Sequence, residues 1–151
     1  VATINSPYLA HTAGFPSQSS DTINDVLEGL IVGETPAVVT QDLALAASQT
    51  LAAYTPVGFN SSGFLVPALR GSVAPEDDIQ AIGITLYPIV VAGGQNPGVP
   101  ILRAGCLAKH MINWPASFTT DAHKFAAFAG APTPTNIVVR EVYYGSVVAA
   151  P

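Results

Sequence analysis

Apolar residues in this chain come in short blocks separated by turn-forming residues, and the blocks from residue 36 onward predict strands near 38–45, 50–54, 64–69, 79–91, 99–112 and 137–143. The intervening material is turn chemistry: Thr55-Pro56-Val57-Gly58, Asn60-Ser61-Ser62-Gly63, Pro75-Glu76-Asp77-Asp78 and the run GGQNPG over 93–98. Within 79–91, Pro88 has no amide hydrogen to give a ladder, so it belongs on an edge or at a bulge. Residues 99–112 read as a pair of strands or one bent strand, broken only by Gly105. Asn113-Trp114-Pro115 ends that block, because proline holds its predecessor extended. Thr119 or Thr120 then caps a short helix with Asp121 in its first turn, Phe125 and Ala129 on one face and Gly130 as its stop. Many short strands and one small helix make a compact β-rich α+β domain.

Residues 1–35 follow a different pattern. Two prolines, scattered Ser and Thr and no sustained period read as an extended or disordered arm. Inside it, Ile23, Val26, Leu27 and Leu30 fall at helical spacing behind Asp21 or Thr22, which predicts one short helix over 22–33. The alternative is a β-like lead-in over 30–32. The organisation expected is therefore an N-terminal arm (1–35), a β-rich domain (36–140) and a C-terminal tail (141–151).

Composition sharpens this picture. Of 151 residues, 49% are hydrophobic and only 10% are charged, against a usual ~25%. A folded chain of 15.5 kDa exposes roughly 7,200 Å². With so few charges, large uncharged areas must be covered by a membrane, by copies of the same chain or by a larger assembly. A membrane span does not fit, since the charge-free runs 43–69 and 79–102 are interrupted by prolines, glycines and polar residues. The net charge of −5, with no Lys or Arg before Arg70, argues against nucleic acid as a direct partner. The first residues lack the basic and apolar regions of a secretory signal, so synthesis in the cytoplasm is expected. A single cysteine, Cys106 in an apolar strand, excludes an internal disulfide and reads as a buried thiol.

Candidate chemistry is sparse. His11, His110 and His123 show no metal-ligand spacing, so no metal or other cofactor is expected. A triad of Ser117, His110 and Asp121 can be written, but no Gly-x-Ser-x-Gly elbow supports it and no catalytic residue is assigned. Glu76-Asp77-Asp78 lacks the alternating ligands of a calcium loop, and Gly93-Gly94 is not followed by the Lys-Ser/Thr of a phosphate loop. Trp114, Tyr143 and Tyr144 fit packing or subunit contact better than ligand stacking.

Four pieces taken in order resemble one known family: Ala81-Ile82-Gly83-Ile84 in a strand, the Arg103-Ala104-Gly105 bend, Trp114-Pro115, and Ala127-Phe128-Ala129-Gly130 before a last strand at 137–139. The spacing from Ile101 through Gly105 to Trp114-Pro115 is the most specific part. This series resembles the lambda-type head decoration proteins of tailed phages. The likeness covers about 36–139, and Ala10-His11-Thr12-Ala13 adds a weaker similarity upstream. In the family the arm runs almost directly into the first strand, whereas 17–34 intervene here, and 140–151 continue past the usual end.

The resemblance implies a small β-barrel-like body of the β-tulip type and no enzymatic activity. It implies a homotrimer on the outer surface of the expanded phage head, at three-fold positions, cementing the shell against internal DNA pressure. The partner would be the major capsid protein, with no small-molecule substrate, no membrane and no direct DNA contact. The capsid-binding arm would comprise Ser6, Pro7, Tyr8, Leu9, Ala10, His11, Thr12, Ala13, Gly14 and Phe15. Gly83, Gly105, Trp114, Pro115, Phe128 and Gly130 would be the structural positions of the motif series. Two other readings stand beside it: a small hydrolase or ligand-binding β domain, and another virion component such as a tail or fibre subunit.

Overall fold

The computed structural model describes the backbone of residues 2–6 and 19–23, and residues 29–71 and 78–142 in full. The chain divides into two units, one holding the first two strands and the other spanning Gly29–Val142.

In the first unit β1 (Ala2–Ser6) pairs antiparallel with β2 (Ser19–Ile23), Ala2 opposite Ile23 and Ser6 opposite Ser19. Part of the stretch read as an extended or disordered arm is thus extended and paired, its Thr and Ile suiting a pleated backbone. The helix predicted over 22–33 is not what forms. Ile23 closes β2, residues 24–28 lie outside the described residues, and Ile31–Gly33 is a strand, β3. The β-like alternative fits that strand.

The second unit is organised by one long strand, β10 (Gly98–Ala108). On one side it pairs antiparallel with β4 (Val39–Ala44) along 98–104 and then with β3 at Cys106 and Leu107. On the other side it pairs antiparallel with β8 (Gly83–Thr85) at Ile101 and Leu102, then parallel with β11 (Asn136–Arg140) along 104–108. Beyond β8 the sheet continues through β6 (Pro56–Phe59) to β7 (Leu65–Pro67). A single bridge, Leu45 to Leu65, brings the chain after β4 beside β7, so the strands curl without closing into a barrel. A small ribbon pairs β5 (Thr50–Leu51) with β9 (Ile89–Val90). The domain is mostly β-sheet with one short helix, as the strand blocks predicted.

Several boundaries moved. Residues 55–58 read as a turn, yet Pro56–Phe59 is strand β6 in mid-sheet. Proline is tolerated there because Pro56 opens the strand, where its missing donor matters least. The block 79–91 splits into β8 and β9 around Pro88, which lies outside both. His110, placed in a strand by its apolar neighbours, sits in a 3-10 turn at Lys109–Met111.

The core lies in two clusters on opposite faces of β10. Leu45, Leu51, Val57, Leu65, Ile82, Val99 and Ile101 fill the curl. Leu30, Ile84, Leu102, Leu107, Phe118, Phe128 and Val139 pack on the other face. Ile101 and Leu102 are neighbours in sequence and enter different clusters, as the two-residue period of a strand requires. The alternation does not simply continue to Leu107. Leu102 opposes Thr40 while Ala104 opposes Val39, leaving Arg103 as an extra, bulged residue, and a second irregularity follows between Cys106 and Leu107. Gly105, at φ 153°, supplies the backbone freedom for the bend predicted there. Each large aliphatic side chain so buried contributes roughly 1.5–3 kcal/mol.

The helix, α1 (Asp121–Phe125), is short. The Thr120 hydroxyl accepts the His123 amide at 3.2 Å, Asp121 occupies the first turn, and Gly130 turns the chain at φ 79°. The buried apolar residues fall just after it, at Ala127 and Phe128, while Phe125 and Ala129 are exposed. With five residues, the helix is too short to present a full apolar face to the core.

Candidate functional site

Two members of the candidate triad, Ser117 and Asp121, are engaged in structural contacts. The Ser117 hydroxyl accepts the Arg70 amide at 3.1 Å, and Asp121 pairs with Lys109 at 2.9 Å. His110 lies exposed on the 3-10 turn. Of the acidic run, Glu76 and Asp77 lie outside the described residues, and an Asp78 carboxylate oxygen accepts the Gly71 amide. Among the described residues no group of three or more His, Cys, Asp or Glu is placed to hold a metal ion. No helix there is long and apolar enough to cross a membrane. Cys106 is a free, fully buried thiol, as its apolar strand predicted.

Arg103 is the polar centre that sequence reasoning did not find. As the bulged residue of β10 its side chain is 3% exposed. Its Nη1 donates to Gln41 Oε1 on β4 at 2.8 Å, and Nε and Nη2 donate to the Thr135 hydroxyl at 3.0 and 2.7 Å. Nη2 also reaches the Pro132 carbonyl at 3.3 Å, and Thr135 passes its own proton to the Ile82 carbonyl at 2.8 Å. Burial lowers the guanidinium pKa from its ordinary value. Every one of these acceptors is neutral, so their dipoles must replace the water that the cation lost. The outcome is a tie from β4 across β10 to the loop that launches β11.

A second polar group anchors the far end of β10. Lys109 meets both Asp121 and Glu141, and its ammonium lies 5.3 Å from the centroid of the Phe125 ring. Hydrogen bonding by Glu141 and then Asp121 raises the Lys109 pKa, and the bond from Lys109 lowers that of Asp121. Trp114 completes the region, donating its indole N–H to the Lys109 carbonyl at 2.9 Å and tilting against Phe118 at 5.4 Å between ring centroids.

Two surface grooves flank these ties. One, of about 360 Å³, runs between the end of α1 and β11, with Phe125, Phe128, Ile137 and Val138 in its walls. The other, of about 320 Å³, lies against β5, Asn113, Trp114 and Pro115. Neither is lined by a charged residue. Such surfaces suit extended protein segments better than a polar substrate.

Compared with known protein families, residues 22–133 match bacteriophage lambda head decoration protein D. The chain belongs to this family. It is a structural capsid decoration protein of the phage head, and its place is the virion capsid. No curated protein sequence matches it.

Within the decoration-protein match, the residues of the motif series have physical duties. A Cβ on Gly83 would lie 2.7 Å from Ile101 Cδ1 and 2.8 Å from the Leu102 carbonyl, so β8 approaches β10 only without a side chain there. The Pro115 carbonyl accepts the Phe118 amide at 3.0 Å, turning the chain so that Phe118 and Phe128 enter the core. Among the arm residues Ser6 ends β1, and Pro7, Tyr8, Leu9, Ala10, His11, Thr12, Ala13, Gly14 and Phe15 lie outside the described residues, as do Tyr143 and Tyr144. The match starts after residues 6–15 and stops before β11.

Proposed function

We propose that this decoration protein binds the outer surface of the expanded head as a homotrimer at three-fold positions and cements the shell against the pressure of packaged DNA. The observation that carries the reading is the family match over 22–133. The charge-poor surface supports it: Ile31, Val38, Val39, Tyr87, Val90 and Phe125 are all exposed, and a chain with this surface is suited to being covered. The protein would be made in the host cytoplasm before joining the particle.

Attachment is assigned to residues 6–15. A segment without basic residues can join a capsid strand through backbone hydrogen bonds alone. Three such segments on one trimer raise avidity well above that of a single arm. Ordering the arm costs about 1–2 kcal/mol per residue, so binding waits for a capsid conformation that presents a complete docking edge. The test is co-sedimentation with purified heads, read by electron microscopy. The full chain is expected on expanded but not on immature heads, in groups of three. Deleting residues 1–15 leaves a trimer that no longer binds. Retained binding by the truncated chain would transfer attachment to the body.

A further inference from the structure

The trimer reading leaves open which surfaces meet, and the inference drawn here rests on that reading and adds the contact. We infer that copies join sheet edge to sheet edge, the groove beside β11 of one copy receiving the outer edge of β3 and the start of β4 of the next.

The topology supplies two unlike free edges. β10 is flanked by β3 and β4 on one side and by β8 and β11 on the other. Among the described residues neither β4 nor β11 has a strand on its outer side; β4 is met only by the bridge at Leu45, beyond its end. Although β4 is paired at six positions, Val39, Thr40, Gln41 and Asp42 are all exposed, and Ile31 and Val38 add apolar surface beside them. A free edge carrying exposed β-branched side chains is a template for strand addition.

The opposite edge is shaped to take it. The groove of about 360 Å³ runs along β11 and carries the exposed Phe125 and Val138 in its walls. Its occupant must therefore bring apolar side chains.

Charge decides which segment that is. The charges on the β3–β4 side, Glu34 and Asp42, are both acidic, and the charge on β11 is Arg140. None of the three makes an ion pair among the described residues, whereas Lys109 and Lys124 already face Asp121, Arg103 is buried and Arg70 lies past the end of β7, off both edges. Of these, Glu34, next to the Gly33–Cys106 pair, and Arg140, opposite Ala108, lie at neighbouring levels on the two edges, and in a chain this poor in charge they are complementary between copies. Because the edges differ, the contact is head-to-tail, the kind that closes into rings of three. β11 runs with β10 and β4 runs against it, so copies facing the same way meet antiparallel, the stronger ladder. Since the family match ends before β11, one side of this contact lies in a part of the chain that the match does not cover.

The experiment is light scattering of the full chain over a dilution series, with three variants: Val138→Asp, Arg140→Asp, and Arg140→Asp combined with Glu34→Arg. The expected result is a trimer for the natural chain and monomer for Val138→Asp. Half-dissociation should move to at least about tenfold higher concentration for Arg140→Asp, with recovery in the double variant. Arg140 and Glu34 are exposed, so the charge pair decides the matter even if Val138→Asp fails to fold. A natural trimer unmoved by all three variants overturns the edge contact and leaves the trimer standing. A natural chain that is monomeric throughout removes both. Trimeric Val138→Asp that has lost expanded heads assigns the groove to a capsid segment and overturns the inference.

Discussion

The two halves of β10 are built from the same kinds of residue and do different work. Up to Leu102 the strand lies between β4 and β8, and Val99 and Ile101 point into the curl formed with β6 and β7. From Cys106 onward it lies between β3 and β11, and Leu107 packs with Phe118 and Phe128. Apart from the outer edge of β4, the first half is closed inside the domain. The second carries the free edge of β11 and, beside it, an apolar groove. Arg103 stands at the boundary, where the partner strand changes on one side and the bulge falls on the other. A buried cation with neutral partners is a costly way to join two pieces of sheet, and it is tolerated because its planar donors can hold β4, Thr135 and the Pro132 carbonyl together.

The sharpest way to break the enclosed half is Gly58→Ala. A Cβ there would lie 2.1 Å from the Gln80 carbonyl oxygen, a backbone atom that cannot swing aside. Loss of about 4 kcal/mol or failure to fold is expected in denaturant titration. Arg103→Ala attacks the boundary instead. It leaves Gln41, Thr135 and the Pro132 carbonyl without their donor and opens a cavity, for an expected loss of about 3 kcal/mol. Hydrogen exchange should rise in β11 before it rises in β6, and equal loosening of both would show that Arg103 does not separate the halves.

The smallest effect belongs to the Lys109 tie. Asp121 titrates below its ordinary value in the folded state, so its contribution is present above that value and is lost as pH falls through the depressed one. Lys109 titrates above its ordinary value, so its share is lost only as pH rises through the raised one. Thermal stability should hold level between these limits and fall slightly at each end, because the carboxylates are solvent-exposed and screened. Lys109→Met should flatten both shoulders in calorimetry. An unchanged profile would mean that the tie contributes nothing measurable.

The sequence by itself determined the local and directional features. Thr120 caps the helix, Gly130 turns the chain after it, and Gly105 permits the bend, because each depends on a residue and its immediate neighbours. The strand itself ends at Ala108, before Trp114-Pro115, and the helix at Phe125, before Gly130. The motif order was enough to bring out the family. Only tertiary structure decided that Pro56–Phe59 would be mid-sheet, since nothing local distinguishes an apolar turn from a short strand until β7 and β8 pair with it. The same holds for Arg103, which reads as one charged residue in a bend and becomes buried only through Gln41, Thr135 and Pro132, residues 62, 32 and 29 positions away. The free edges of β4 and β11 likewise exist only once the sheet has assembled. An edge is defined by which strand fails to arrive, and that is a property of the whole arrangement rather than of any segment.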